Sequence, residues 1–248
     1  MQMELQNLSM TYPSGKQALH QINLALKAPS LIGLLGPNGA GKSTLMKLLV
    51  AALVPTQGRI LIDGRPLEQE ERQLKARLGY LPQDFGLFDE LTVAQFLDYM
   101  AALKGLRNAG AAVQKAIQSV NLAEKANARI RTLSGGQRQR AYIAMVIAQD
   151  TEYILLDEPT NNLDIYHATN LMKMVRRLCD ELGKTVVLVL HEINYAAFYS
   201  DYICAFADGK VEKFGKVEEV ITKETLSKLY RVEFEIMEIE GKPLSIWY

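Results

Sequence analysis

The sequence predicts an α/β fold: a parallel sheet with antiparallel strands at its N-terminus and a block of helices inserted in its middle. Three observations predict it. The first thirty residues alternate apolar and polar positions (Met3, Leu5, Leu8, then Ile22, Leu24, Leu26), as half-buried antiparallel strands do. Nearly continuous apolar runs of strand length follow, LIGLL at 31–35, YILLD at 153–157 and TVVLVLH at 185–191, as in parallel strands buried on both faces. From 92 to about 149 the pattern is helical throughout.

Each element can be justified in order. After LIGLL come glycines and then Leu45, Leu48, Leu49 and Ala52 at helical spacing, so the order is strand, glycine loop, helix. The helical block reads as three segments, LTVAQFLDYMAALKG, AAVQKAIQSVNLAEKA and RQRAYIAMVIAQ, with Thr92 and Ser134 as N-caps. A long helix over 166–182 joins YILLD to TVVLVLH, the crossover a parallel pair requires. The tail VEFEIMEIEGKPLSIWY alternates around Glu-Gly-Lys-Pro and predicts a terminal hairpin. The chain therefore divides into a core over 1–83 and 151–215, a helical subdomain over 84–150, and a C-terminal helix and hairpin over 216–248. Its 248 residues suffice for one α/β domain with such an insertion.

Composition narrows the function classes. With 48% hydrophobic and 23% charged residues the chain is of the ordinary globular kind. No run reaches the roughly 18 apolar residues of a membrane helix. The start, MQMELQNLSM, has neither the positive nor the apolar region of a secretory signal, so a cytoplasmic location is expected. Basic and acidic residues balance at 28 each, which gives no global field for nucleic acid and makes it an unexpected partner. Cys179 and Cys204 lack metal or redox spacing and read as buried small hydrophobes. His20 and His167 read as surface or structural histidines.

Residues 36–44, GPNGAGKST, match the phosphate-binding pattern G-x-x-x-x-G-K-[ST] in its required place, after a strand and at a helix start. Gly36, Asn38, Gly39 and Gly41 belong to a loop whose backbone N–H groups turn inward around phosphate oxygens, aided by the helix N-terminus. Lys42 is expected to reach the β- and γ-phosphates, Ser43 to ligate Mg²⁺, and Thr44 to donate a further hydrogen bond to phosphate. YILLD ends in Asp157 and Glu158, and a carboxylate at the C-terminal end of such a strand lies beside the phosphate loop. Asp157 is expected to hold the metal, directly or through water, and Glu158 to orient and activate the attacking water. His191 closes another such strand, where a γ-phosphate sensor would sit.

LSGGQ at 133–137 resembles the signature of ABC ATPases. Gln83 in YLPQ, NNLD at 161–164 and His191 follow that family's order, so the resemblance extends across almost the whole chain. It implies a P-loop NTPase with a RecA-like parallel core, and a head-to-tail dimer sandwiching two ATP molecules, in which Ser134, Gly135, Gly136 and Gln137 complete the opposite subunit's site. Local physics agrees, because this second helix start presents amides to an anion although the chain already has its own phosphate loop. The resemblance further implies that Gln83 senses Mg²⁺ and the water, that Asp164 acts at the dimer interface, and that Tyr12 stacks on adenine. Membrane permease subunits, and with them a substrate-binding protein, are the implied partners, with the chain peripheral on the cytoplasmic face of the inner membrane.

Cargo is marked in two directions. From the signature onward the chain is similar to ATPases of ferric-siderophore importers, whereas GYLPQDFGLFDELTVAQFLDYMAALKGL is more similar to those of multidrug or antibiotic exporters. Two histories fit, a separate branch of the family or a recombinant of two parents joined near 131–133. Siderophore import is the leading expectation; an exporter ATPase and a non-transport ABC ATPase are the alternatives. Glu158 argues against a nucleotide-binding switch without hydrolysis.

Overall fold

The computed structural model describes residues 2–26, 28–83, 88–106, 108–161 and 163–248. Residues 84–87 of the exporter-like stretch and Asn162 of NNLD lie outside them. In chain order the elements are β1 (Met3–Thr11), β2 (Gln17–Leu26), β3 (Leu31–Leu35), α1 (Lys42–Leu49), β4 (Gln57–Ile62), β5 (Arg65–Pro66), α2 (Leu67–Arg77) and β6 (Leu78–Leu81). The helical block follows as α3 (Val93–Leu103), α4 (Gly110–Ser119) and α5 (Gly135–Ala148). Then come β7 (Tyr153–Asp157), α6 (Ile165–Asp180), β8 (Thr185–Val189), α7 (Ile193–Tyr199), β9 (Tyr202–Ala207), β10 (Lys210–Lys216), α8 (Val217–Val220), α9 (Lys223–Tyr230), β11 (Phe234–Ile239) and β12 (Lys242–Trp247).

A six-stranded sheet of order β10-β9-β3-β8-β7-β6 forms the centre. β3 sits between β9 and β8 and pairs with both in parallel, and β7 extends the parallel run to β6. Burial on both faces explains the continuous apolar runs. Leu31 and Leu35 turn to one side, where the helical block, α6 and α7 cover them, and Ile32 and Leu34 turn to the other. That other side is closed by α1 and by the antiparallel sheet β2-β1-β4-β5, whose alternate residues Met3, Leu5 and Leu8 point inward. Cys179 and Cys204 are both buried and unbridged.

The three inserted helices pack on one another, and both expected N-caps form. Thr92 and Ser134 each accept the backbone N–H three residues on, while Gln95 and Gln137 reach back to the cap N–H, giving two capping boxes. α4 is shorter than its apolar pattern implies: it stops at Ser119, and Asn121 turns into the left-handed region (φ 54°). The C-terminal helix is divided into α8 and α9. The hairpin of β11 and β12 forms with Glu240-Gly241 at its turn and lies along α7. Asn194 Nδ2 donates to the Ser245 carbonyl, and Asn194 Oδ1 accepts from the Ser245 backbone N–H and hydroxyl.

Candidate active site

The phosphate loop leaves the C-terminal end of β3, the middle of the sheet, and opens α1. Two of its glycines are obligatory. Gly36 has φ 147°, and a Cβ there would lie 2.1 Å from the Phe206 carbonyl; Gly41 has φ 106°, and a Cβ would lie 2.6 Å from the Ala18 carbonyl. Asn38 and Gly39 are exposed at the tip. No side chain caps α1, so its first amides are left to a ligand. The buried Lys42 ammonium donates to the carbonyls of Gly36 (2.7 Å) and Pro37 (3.0 Å). Burial pushes its pKa down, and the nearby Glu158 and Asp157 carboxylates push it back up.

β7 delivers Asp157 into the same place. Its carboxylate accepts the Ser43 hydroxyl at 3.3 Å, although the residues are far apart in sequence, and its burial raises its pKa while Ser43 opposes the rise. These two hard oxygen donors fit Mg²⁺. Among the described residues no group of three His, Cys, Asp or Glu could hold a metal, so an ion here would draw its remaining ligands from phosphate and water. The Tyr12 hydroxyl lies 3.1 Å from that of Thr44, which puts the half-exposed ring at the rim of the loop.

Glu158 follows in the left-handed region (φ 53°), an unusual conformation for this residue type, and its side chain is only 10% exposed. Its two oxygens are fixed separately. His191 Nε2, from the end of β8, lies 2.7 Å from Oε1, and Gln83 Nε2, from the end of β6, donates to Oε2 at 2.7 Å. Asn161 adds a contact to Oε2 at 3.3 Å, which the residue pattern of 161–164 did not foretell. Three strands thus converge on one carboxylate beside the phosphate loop, an arrangement able to aim a water at a terminal phosphate.

The remaining predicted residues form a second group. Ser134 and Gly135 are exposed at the start of α5, with Gly136 and Gln137 half-buried behind them. The Ser134 hydroxyl and Gln137 are occupied with each other in the capping box. Asp164 caps α6 by accepting the His167 backbone N–H at 2.8 Å. Two contacts tie this group to the loop after β7, and neither has a signal in the sequence: Gln139 donates to the Pro159 carbonyl at 2.7 Å, and the His167 ring lies against Gly136.

A glycine loop opening a helix from the central strand of a parallel sheet, with the Asp157–Glu158 pair delivered to it by another strand, defines a P-loop nucleoside triphosphatase. Comparison with known proteins refines that class. The ABC transporter family model matches residues 19–161. Over 250 residues the chain is 35% identical to a petrobactin import ATP-binding protein of Bacillus subtilis (strain 168), covering 99% of both chains. It is 33% identical to the ferric enterobactin transport ATP-binding protein of Escherichia coli (strain K12), covering 98% of this chain and 93% of the relative. Among solved structures it superimposes, with a TM-score of 0.78 and 30% identity over 87% of this chain and 98% of the other, on an ATP-binding cassette in a dimeric post-hydrolysis state bound to ADP and Pi. The protein belongs to the ABC transporter family and is one of its ATP-hydrolysing, ATP-binding subunits.

Proposed function

We propose that this subunit powers the import of a ferric siderophore, working as a homodimer on membrane permease subunits at the cytoplasmic face of the membrane. The observation that carries the chemistry is the fixed Glu158 carboxylate beside the phosphate loop. What carries the cargo reading is that import ATPases match over 98–99% of the chain, the exporter-like stretch included. Among the described residues no helix is long and apolar enough to cross a membrane, so transport requires a membrane partner. A substrate-binding protein delivering the loaded siderophore completes the assembly; nucleic acid has no part in it.

In this reading the amides of the loop at Gly36, Asn38, Gly39 and Gly41, together with Lys42 and Thr44, hold the phosphates of ATP, and Tyr12 stacks on the adenine. Ser43 and Asp157 hold Mg²⁺, with Gln83 at its edge; the ion neutralises charge on the β- and γ-phosphate oxygens. Glu158 accepts a hydrogen bond from the water and orients it in line with the bond to be broken. As the oxygen of water joins the γ-phosphorus, the bond to the bridging oxygen breaks, and ADP leaves with that electron pair. The proton passes to the Glu158 carboxylate and then to phosphate. His191 and Gln83 keep the carboxylate from rotating away. Ser134, Gly135, Gly136 and Gln137, with Asp164, act across the dimer on the partner's ATP.

The exporter-like segment favours a second reading, an exporter ATPase, which a chain recombined from two parents would also fit. Reconstitution with a siderophore permease pair in liposomes decides. ATP-driven uptake of ferric siderophore, stimulated by a loaded binding protein, supports import. Steady ATP hydrolysis with neither stimulation nor uptake removes the import reading and leaves the second.

A further inference from the structure

His167 reads from sequence as one more surface or structural histidine, yet it occupies the space between two segments that the dimer reading assigns to the partner's nucleotide. Its Nδ1 lies 2.8 and 2.9 Å from the two carboxylate oxygens of Asp164. The opposite edge of the ring lies on Gly136: a Cβ at that glycine would stand 2.8 Å from Cδ2, 3.1 Å from Cγ and 3.2 Å from Nε2. The Tyr166 ring stands edge-on to the imidazole at a centroid distance of 5.3 Å and an interplanar angle of 85°, which limits its freedom to swing out. Gln139, one turn into α5, makes a second link by donating to the Pro159 carbonyl at 2.7 Å.

We infer that His167 is a positioning residue that fixes the spacing between the 134–137 segment and the 161–164 loop, so that one subunit presents both to the opposite nucleotide as a single rigid edge. The inference rests on the head-to-tail sandwich proposed above. A capping role does not explain the ring. The cap of α6 uses the backbone N–H of residue 167, which any side chain leaves in place, and the core face of the helix is made by Ala168, Leu171, Met172 and Val175. The imidazole adds a connection between elements that helix formation does not need. It also gives a packing reason for glycine at 136, since any side chain there would drive the ring away from Asp164.

The test uses the full chain in a Glu158→Gln background, in which ATP is bound without turnover and dimers can be counted by gel filtration or light scattering. His167→Ala in that background is expected to leave the affinity of the monomer for its first Mg-ATP and the thermal midpoint unchanged. The ATP concentration that half-saturates dimer formation is expected to rise roughly tenfold, the scale on which misplaced binding groups act. His167→Asn, whose side-chain amide can still donate to Asp164 while the ring is lost, is expected to fall between the two. Dimerisation of the Ala variant indistinguishable from that of the Glu158→Gln parent would overturn the inference, as would an equal loss of first-site ATP affinity. A Glu158→Gln parent that stays monomeric at saturating Mg-ATP would tell against the sandwich itself rather than against His167.

Discussion

Glu158 combines two features seldom found together, a left-handed backbone and a carboxylate bound at each oxygen. Such local strain persists where the surroundings over-determine a position, and here the ends of β6 and β8 do so. Glu158→Gln keeps the shape of the side chain and removes the charge that aligns water. ATP should still bind to this variant, while steady-state turnover falls by roughly a hundredfold or more, measured by phosphate release. Lys42→Ala separates binding from chemistry in the opposite sense. It deletes the buried ammonium of the loop, and titration calorimetry should show strongly weakened ATP binding; unchanged affinity would refute the phosphate-loop assignment. Gly36→Ala makes a third kind of statement, since its Cβ would collide with backbone rather than with a flexible side chain. Loss of nucleotide binding together with a lowered thermal midpoint is expected, because the loop cannot yield without moving β9.

At the scale of elements, the start of α5 is a second anion-facing helix terminus in a chain that already has one at α1. Ser134→Arg puts bulk and charge at that start while leaving the chain's own loop intact, so monomer ATP binding should survive. Mixing this variant with Lys42→Ala should restore at most one complete composite site per heterodimer. If Ser134→Arg instead abolishes ATP binding to the monomer as Lys42→Ala does, the signature acts within its own subunit. The elements that carry these sites were legible in the sequence because their signals are local. A glycine loop between an apolar run and a helical pattern, a Thr or Ser with Gln three residues on, and two carboxylates at a strand end each state their structure within a few residues. β4, β5 and α2 were not legible: α2 is mostly charged and polar and buries only Leu67, Glu70 and Leu74, too few for a clear period. Nor were the contacts of His167 with Gly136 and of Gln139 with Pro159 legible, since they arise where α5 and α6 meet and no spacing along the chain encodes that proximity.

For the whole molecule, the acid side of stability depends on a charge cluster far from the nucleotide. The Gln2 backbone N–H and then Arg77 hold Asp63 below its ordinary pKa, and Arg77 does the same for Glu152. Each carboxyl binds its proton less readily folded than unfolded. The stability they add is therefore present above the ordinary carboxylate range, about pH 4, and is lost as pH falls through it. Their exposure keeps the effect small. Arg77→Ala should lower the thermal midpoint slightly at pH 7 and flatten its fall between roughly pH 5 and pH 3, followed by calorimetry.

The strand order also sets a timetable for synthesis. β3 pairs only with β8 and β9, Leu31 facing Val186 and Gly33 facing Ile203, so the strand that carries the phosphate loop leaves the ribosome long before either neighbour exists. Contacts so distant along the chain are slow to close, and until they do the loop has no platform from which to aim its amides. Nascent chains stalled before residue 185 should retain no ATP analogue, and capture should begin only once β8 and β9 have cleared the exit tunnel.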